Sequence, residues 1–122
     1  MAKVVGDLLA FRYLVYAPSN RSMVVFLFGM LSDELGMYVE WIGDEFPNCE
    51  VRKRVEGGWQ RLKCQIELKA SDIEKSGKPS DCDMLVCWEN DWGKTRPSGC
   101  EHLEVVELRA YVAGYAGQTS AE

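Results

Sequence analysis

Several features are scarce or missing in this chain of 122 residues, and each absence narrows what it can be. There is one histidine, His102, and none of the five cysteines stands in a Cys-x-x-Cys pair. Cys82, Cys87, Cys100 and His102 come nearest to a ligand quartet, but their spacing matches no standard zinc finger. No stretch of about 18 uncharged apolar residues occurs, so no membrane-crossing helix and no membrane partner are expected. Asp7 and Arg12 interrupt the apolar N-terminal run, which argues against a signal-peptide core. Nothing resembles a serine or cysteine nucleophile set beside its base, and no internal repeat is visible. Positive charge is also short: 14 Lys and Arg against 19 Asp and Glu give a net charge of −5, which argues against indiscriminate binding of polyanions.

What remains describes an ordinary globular composition, 47% hydrophobic and 27% charged. The length suits one domain, expected over residues 1–113, with 114–122 as a frayed tail. An odd number of cysteines in apolar contexts points to reduced, buried thiols and a cytoplasmic setting. Charge is uneven along the chain. Five basic residues fall between Arg52 and Lys63, whereas acids dominate 33–50.

Residues 46–70 carry the clearest local signal. Two alternating runs, 46–56 and 59–70, flank Gly57-Gly58, which predicts a β-hairpin with a two-residue turn because glycine takes positive φ without steric cost. With Glu56 facing Trp59, Cys49, Val51 and Val55 share a core face with Leu62, Cys64, Ile66 and Leu68. The other face carries Glu50, Arg52, Arg54, Arg61, Lys63, Gln65, Glu67 and Lys69. In that register Arg54 opposes Arg61 and Arg52 opposes Lys63, which destabilises by a few tenths to about 1 kcal/mol per pair unless interleaved acids, solvent or a bound polyanion offsets it. Asn48 then faces Glu67, with Lys69 two residues along the same face.

Before the hairpin, 9–16 reads as strand-like. Ser19 or Asn20 can cap a helix from about 21 to 35, with Val24, Leu27, Phe28, Leu31 and Leu35 as its apolar stripe and Gly36 just past its end. Met37–Ile42 reads as a short strand. After the hairpin, 71–80 is polar and turn-rich with room for one short helix, and 82–89 is an apolar run that predicts a strand buried on both faces. A long loop over 90–100 leads to a second strand over 103–111. The expected fold class is α+β: one small domain, a mixed sheet with a central hairpin and one main helix.

Phe46-Pro47-Asn48 opening the hairpin, with Glu67-Leu68-Lys69 closing it, resembles the Pro-Asp…(Asp/Glu)-x-Lys signature of the restriction-endonuclease-like superfamily. The succession helix, strand, hairpin, connector and buried strand is similar to that superfamily's core. More narrowly, Val24-Val25-Phe26-Leu27-Phe28-Gly29, Phe46-Pro47-Asn48-Cys49-Glu50 and Cys82-Asp83-Met84-Leu85-Val86-Cys87-Trp88-Glu89-Asn90-Asp91-Trp92 look like a group of small, poorly characterised prokaryotic proteins with that fold. The resemblance implies a divalent ion, Mg²⁺ or Mn²⁺, held by Glu67 with Asn48 or Gln65 and helped by Glu34 on the first helix. It also implies Lys69 near an attacking water, and Arg52, Arg54, Arg61 and Lys63 against the phosphates of DNA or RNA.

The departures from that pattern are informative. Asn48 stands where the group has Asp, Gln65 where it has the first Glu of a Glu-x-Glu, and Lys75-Ser76-Gly77-Lys78-Pro79 replaces a His-rich connector. An amide oxygen ligates Mg²⁺ without charge, so metal capture is expected to weaken. The expectation is therefore a degenerate, non-catalytic binding or interaction module, in which Trp41, Trp59, Trp88 and Trp92 are aromatic enough to supply an interface with a partner or a second copy, although most of them are expected in the core. The alternative is an active metal-dependent endonuclease with Glu67 and Lys69 as its catalytic pair. A rival Asp…Glu-x-basic set, Asp83 with Glu107 and Arg109, places the last two on one strand face, although Arg does not readily replace a catalytic Lys.

Overall fold

A computed structural model describes residues 8–12 and 14–120 of the chain. Tyr13 of the expected N-terminal strand and the last two residues of the expected tail lie outside the described residues. Local chemistry accounts for the ends of the main helix, α1 (Arg21–Leu31). The Asn20 side chain accepts a hydrogen bond from the Met23 amide at 2.9 Å and so starts it. Val24, Leu27, Phe28 and Leu31 recur at helical spacing and are fully buried. Regular geometry stops at Leu31 rather than Leu35, and the chain closes through a Schellman turn. Gly36, at φ 76°, donates to the Asp33 carbonyl, and the Met37 amide donates to Ser32.

Five strands form one mixed sheet in the order β3-β4-β5-β6-β7: β3 (Met37–Ile42), β4 (Cys49–Val55), β5 (Gly58–Lys69), β6 (Met84–Glu89) and β7 (Glu104–Glu107). The first three are antiparallel neighbours, and β5, β6 and β7 run parallel. The expected strand over 9–16 is instead a separate ribbon of two short strands, β1 (Leu8–Phe11) and β2 (Leu14–Tyr16), with Arg12 at φ 52° between them. Parallel neighbours need crossovers. β5 reaches β6 through a 3-10 turn (Ala70–Asp72), α2 (Ile73–Ser76) and a second turn (Pro79–Asp81), and β6 reaches β7 through residues 90–103. The expected strand over 103–111 ends at Glu107. From Leu108 the chain is helical as α3 (Leu108–Ser120), so most of the expected tail is helix too. Leu108 and Val112, four apart, are buried in the core, and that packing outweighs the local alternation.

The hairpin also differs from expectation. Val55 pairs with Gly58, so Glu56-Gly57 make the turn, with Gly57 at φ 86°. The arms slide by two residues against the expected register, which leaves every side chain on its face but changes its partner. Arg52 faces Arg61, Arg54 faces Trp59, and Asn48 no longer faces Glu67.

The sheet's two faces are covered differently. One packs against α1 and α3 through Val51, Leu62, Cys64, Ile66, Met84 and Val86. The other is covered only over its β5–β7 half, where both crossovers build a second core from Ala70, Ile73, Cys82, Leu85, Cys87, Cys100 and Leu103. Over β3, β4 and the start of β5 it is open. Strand β5 passes from one regime to the other, exposed at Gly58 to Arg61 and buried from Cys64 to Glu67. All five cysteines are free and buried, as expected. Among the described residues the architecture is α+β, a five-stranded mixed sheet with three helices, none of them long and apolar enough to cross a membrane.

Candidate functional site

Where β5 passes beneath the crossovers, three buried polar side chains meet: Asn48, Gln65 and Glu67. Asn48 clamps β5 at its own level. Its Oδ1 accepts the Ile66 amide at 2.8 Å, its Nδ2 donates to the Ile66 carbonyl at 3.0 Å, and its main-chain amide donates to Gln65 Oε1 at 2.8 Å. An aspartate could make the first of these bonds but not the second, so this geometry uses the amide as an amide. Gln65 Nε2 in turn donates to Glu67 Oε2 at 2.6 Å. Glu67 also accepts the Ser76 hydroxyl and the Arg21 guanidinium, whose Nε and Nη2 lie 3.1 and 3.4 Å from its two oxygens. A carboxylate removed from water is tolerated only with such a set of donors.

Arg21 and Ser76 did not stand out in the sequence. Arg21 follows the Asn20 cap directly, at the helix end where the backbone dipole disfavours positive charge, and that misplacement was the available signal. Clefts of about 340 and 230 Å³ flank its side chain, the first lined by Asn20, Asp72 and Lys75, the second by Asp44, Glu45 and Phe46. The Phe46 ring lies on the backbone of Gly77, where a Cβ would overlap it, and this contact ties the Phe46–Pro47 loop, whose peptide is cis, to the connector after α2.

The remaining expected site residues lie elsewhere. Lys69 is at the exposed end of β5, with its amide bonded to Asp72 at 3.1 Å and its charge near Asp91. Glu34 lies beyond the far end of α1, whose 11 residues span about 16 Å. There the Tyr111 hydroxyl, at 2.6 Å, and the Arg12 guanidinium hold its carboxyl below the usual range. The structure thus brings together Asn48, Gln65 and Glu67 but not Glu34. The rival set is scattered as well. Asp83 precedes β6 and binds the Lys63 amide at 2.9 Å, whereas Glu107 ends β7 roughly four residues, about 13 Å, further along the parallel strands. Arg109 belongs to α3, so it does not share a strand face with Glu107, although the two form an ion pair at 3.6 Å.

A divalent ion is poorly served by this arrangement. Asn48 Oδ1 and Gln65 Oε1 are spent on main-chain amides, and Glu67 is already paired with a guanidinium. Among the described residues no group of three or more His, Cys, Asp or Glu side chains could hold a metal ion. His102, outside the cluster, has its Nε2 within 3.1 Å of the Pro79 and Cys82 carbonyls.

The open part of the same face gathers Arg52, Arg54, Arg61 and Lys63. Arg52 and Arg61 are directly opposed, and Glu40 bridges them, with Oε2 3.0 Å from Arg52 Nη2 and Oε1 2.9 Å from Arg61 Nε. The hydrogen bond from Arg61, and then the charge of both arginines, holds the Glu40 carboxyl below its ordinary range. A bulge in β3 makes the bridge possible: Val39 pairs with Val51 but Trp41 with Glu50, which leaves Glu40 without a partner in the ladder. Arg54 lies 5.2 Å from the Trp59 ring, whose centroid is 5.3 Å from that of Tyr38.

No family model, curated protein or solved structure matches the chain, so its own residues carry the functional reading.

Proposed function

We propose that this chain is a non-catalytic nucleic-acid-binding module on a nuclease-like fold, in which a cation of the chain itself, the half-exposed Arg21, occupies the neighbourhood where a nuclease would hold its metal. One observation carries the reading: Glu67, the sole carboxylate of the buried cluster, accepts hydrogen bonds from Arg21, Gln65 and Ser76 at once. A metal would have to displace the guanidinium, and the cluster partners of Glu67, Asn48 and Gln65, bring no charge and have their oxygens on main-chain amides. The nuclease-like part is supported by the order of helix, strand, hairpin, crossover and parallel strand. The binding part is supported by four cations against two carboxylates, Glu40 and Glu50, on one open face of a chain whose net charge is −5.

Cleavage and retardation assays on plasmid and single-stranded substrates, with Mg²⁺ or Mn²⁺ present, test it. The expected outcome is no cleavage beyond that of Glu67→Ala, together with salt-dependent retardation that is lost in Arg52→Glu/Lys63→Glu. Cleavage abolished by Glu67→Ala would establish the endonuclease alternative, and lack of retardation on every substrate would remove the nucleic-acid reading.

A further inference from the structure

We infer that the open face of β3, β4 and β5 is a platform for single-stranded nucleic acid, on which Tyr38, Trp41 and Trp59 stack against bases while Arg54 and Lys63 hold phosphates. This rests on the nucleic-acid reading above and narrows it from polyanions in general to unpaired strands.

The aromatic side chains are the first reason. Tyr38, Trp41 and Trp59 are 55%, 43% and 44% exposed, a large aromatic area to leave in water on one sheet face. Simple alternation from Tyr38 would turn Trp41 to the opposite face; the bulge at Glu40 sets it level with Glu50 and Lys63 on the open side. Its indole packs onto the backbone at Gly43, where a Cβ would overlap the ring. Trp59 is held by Arg54, 5.2 Å from its ring, and by a tilted contact with Tyr38 at 5.3 Å. These rings are therefore largely ordered before any ligand arrives, which lowers the entropy lost on binding.

Spacing and charge supply the second reason. Trp41 is level with Glu50, and Trp59 with Arg54, four residues or about 13 Å along β4. Between them lies the row of Tyr38, Arg52 and Arg61, so aromatic and basic groups are interleaved over the surface, with Glu40 and Glu50 among them. Unpaired bases can splay onto such rings, whereas the bases of a duplex stay stacked on one another. Glu40 already satisfies Arg52 and Arg61, while among the described residues neither Arg54 nor Lys63 has an ion-pair partner. Two cations without a carboxylate partner are too few for a protein that must hold a duplex by its phosphates alone. They suit a site where stacking provides much of the affinity, and they set an expected slope of log K against log salt near −1.4 for single strands, about −0.7 per phosphate.

Fluorescence anisotropy with labelled homopyrimidine DNA and RNA strands, and with a duplex of matched length, tests the inference, and tryptophan quenching is read in the same titrations. Single strands are expected to bind at least tenfold more tightly than the duplex and to quench the tryptophans. Trp59→Ala is expected to weaken strand binding about tenfold with the salt slope unchanged, and Lys63→Ala to flatten the slope by about 0.7. Equal binding of strand and duplex, unaffected by Trp59→Ala, would overturn the platform while leaving the nucleic-acid reading in place. Absence of binding to every nucleic acid at low salt would overturn both. Circular dichroism of each variant guards against misfolding, and if Trp59→Ala loses its native spectrum, Trp59→Phe must retain binding that Trp59→Leu loses.

Discussion

The covered and open halves of one sheet face handle charge in opposite ways. Beneath the crossovers a single carboxylate, Glu67, is matched by one guanidinium and two neutral donors. On the open half two arginines stand directly opposed with one glutamate between them, and two further cations make no ion pair among the described residues. Solvent makes the difference. A buried ion is stabilised only by groups that touch it, whereas exposed like charges are screened by water and salt. Polar contacts that hold the fold are therefore concentrated under the crossovers, and the groups free to meet a partner lie on the bare strands.

Perturbing each half should separate these roles. The largest effect is expected at high pH. Burial pushes the Cys82 and Cys87 thiols from the usual 9.0 up to about 11 and about 12. The unfolded chain then loses these protons before the folded one. The associated stability is complete below pH 9 and falls as pH rises through 9 toward 11 to 12, by several kcal/mol in total. Urea unfolding across that range measures the loss, and Cys87→Ala should flatten it. Next comes Asn48→Ala, which leaves the buried Ile66 amide and carbonyl without partners and should cost about 3 kcal/mol. Asn48→Asp should cost about 2 kcal/mol, because the carboxylate cannot donate to Ile66. Arg21→Ala should lose about 2 kcal/mol by chemical denaturation, less than for a fully buried pair because Arg21 is half-exposed. The smallest effect belongs to the open face: Glu40→Ala should change stability by only a few tenths of a kcal/mol while tightening single-strand binding, since Arg52 and Arg61 are released to phosphates. A loss above about 2 kcal/mol in Glu40→Ala would erase the contrast between the halves.

Local signals in the sequence narrowed the helix cap to Ser19 or Asn20, of which the chain uses Asn20, and found the Gly36 closure, the apolar strand through Val86 and the faces of the hairpin. They failed where two local solutions were equally good. Gly57-Gly58 offers two places for a turn, and the chain uses Glu56-Gly57, which changes cross-strand partners without moving any side chain to the other face. Leu108 and Val112 fit a strand's alternation as well as a helix's four-residue spacing, and burial decided between them. The bulge at Glu40 leaves no mark in the sequence, yet it brings Trp41 to the open face. The three amide and acid positions Asn48, Gln65 and Glu67 were legible as a group, but the partner that defines their chemistry, Arg21, lies 46 residues away from Glu67 and only the fold joins them.

The central claim, that Arg21 has displaced metal chemistry from the buried cluster, is tested most directly by calorimetric titration of the intact chain with Mn²⁺, with Glu67→Ala titrated alongside. The expected result is the same weak, unsaturating heat for both proteins. A saturable one-to-one heat in the natural chain that Glu67→Ala abolishes would contradict it.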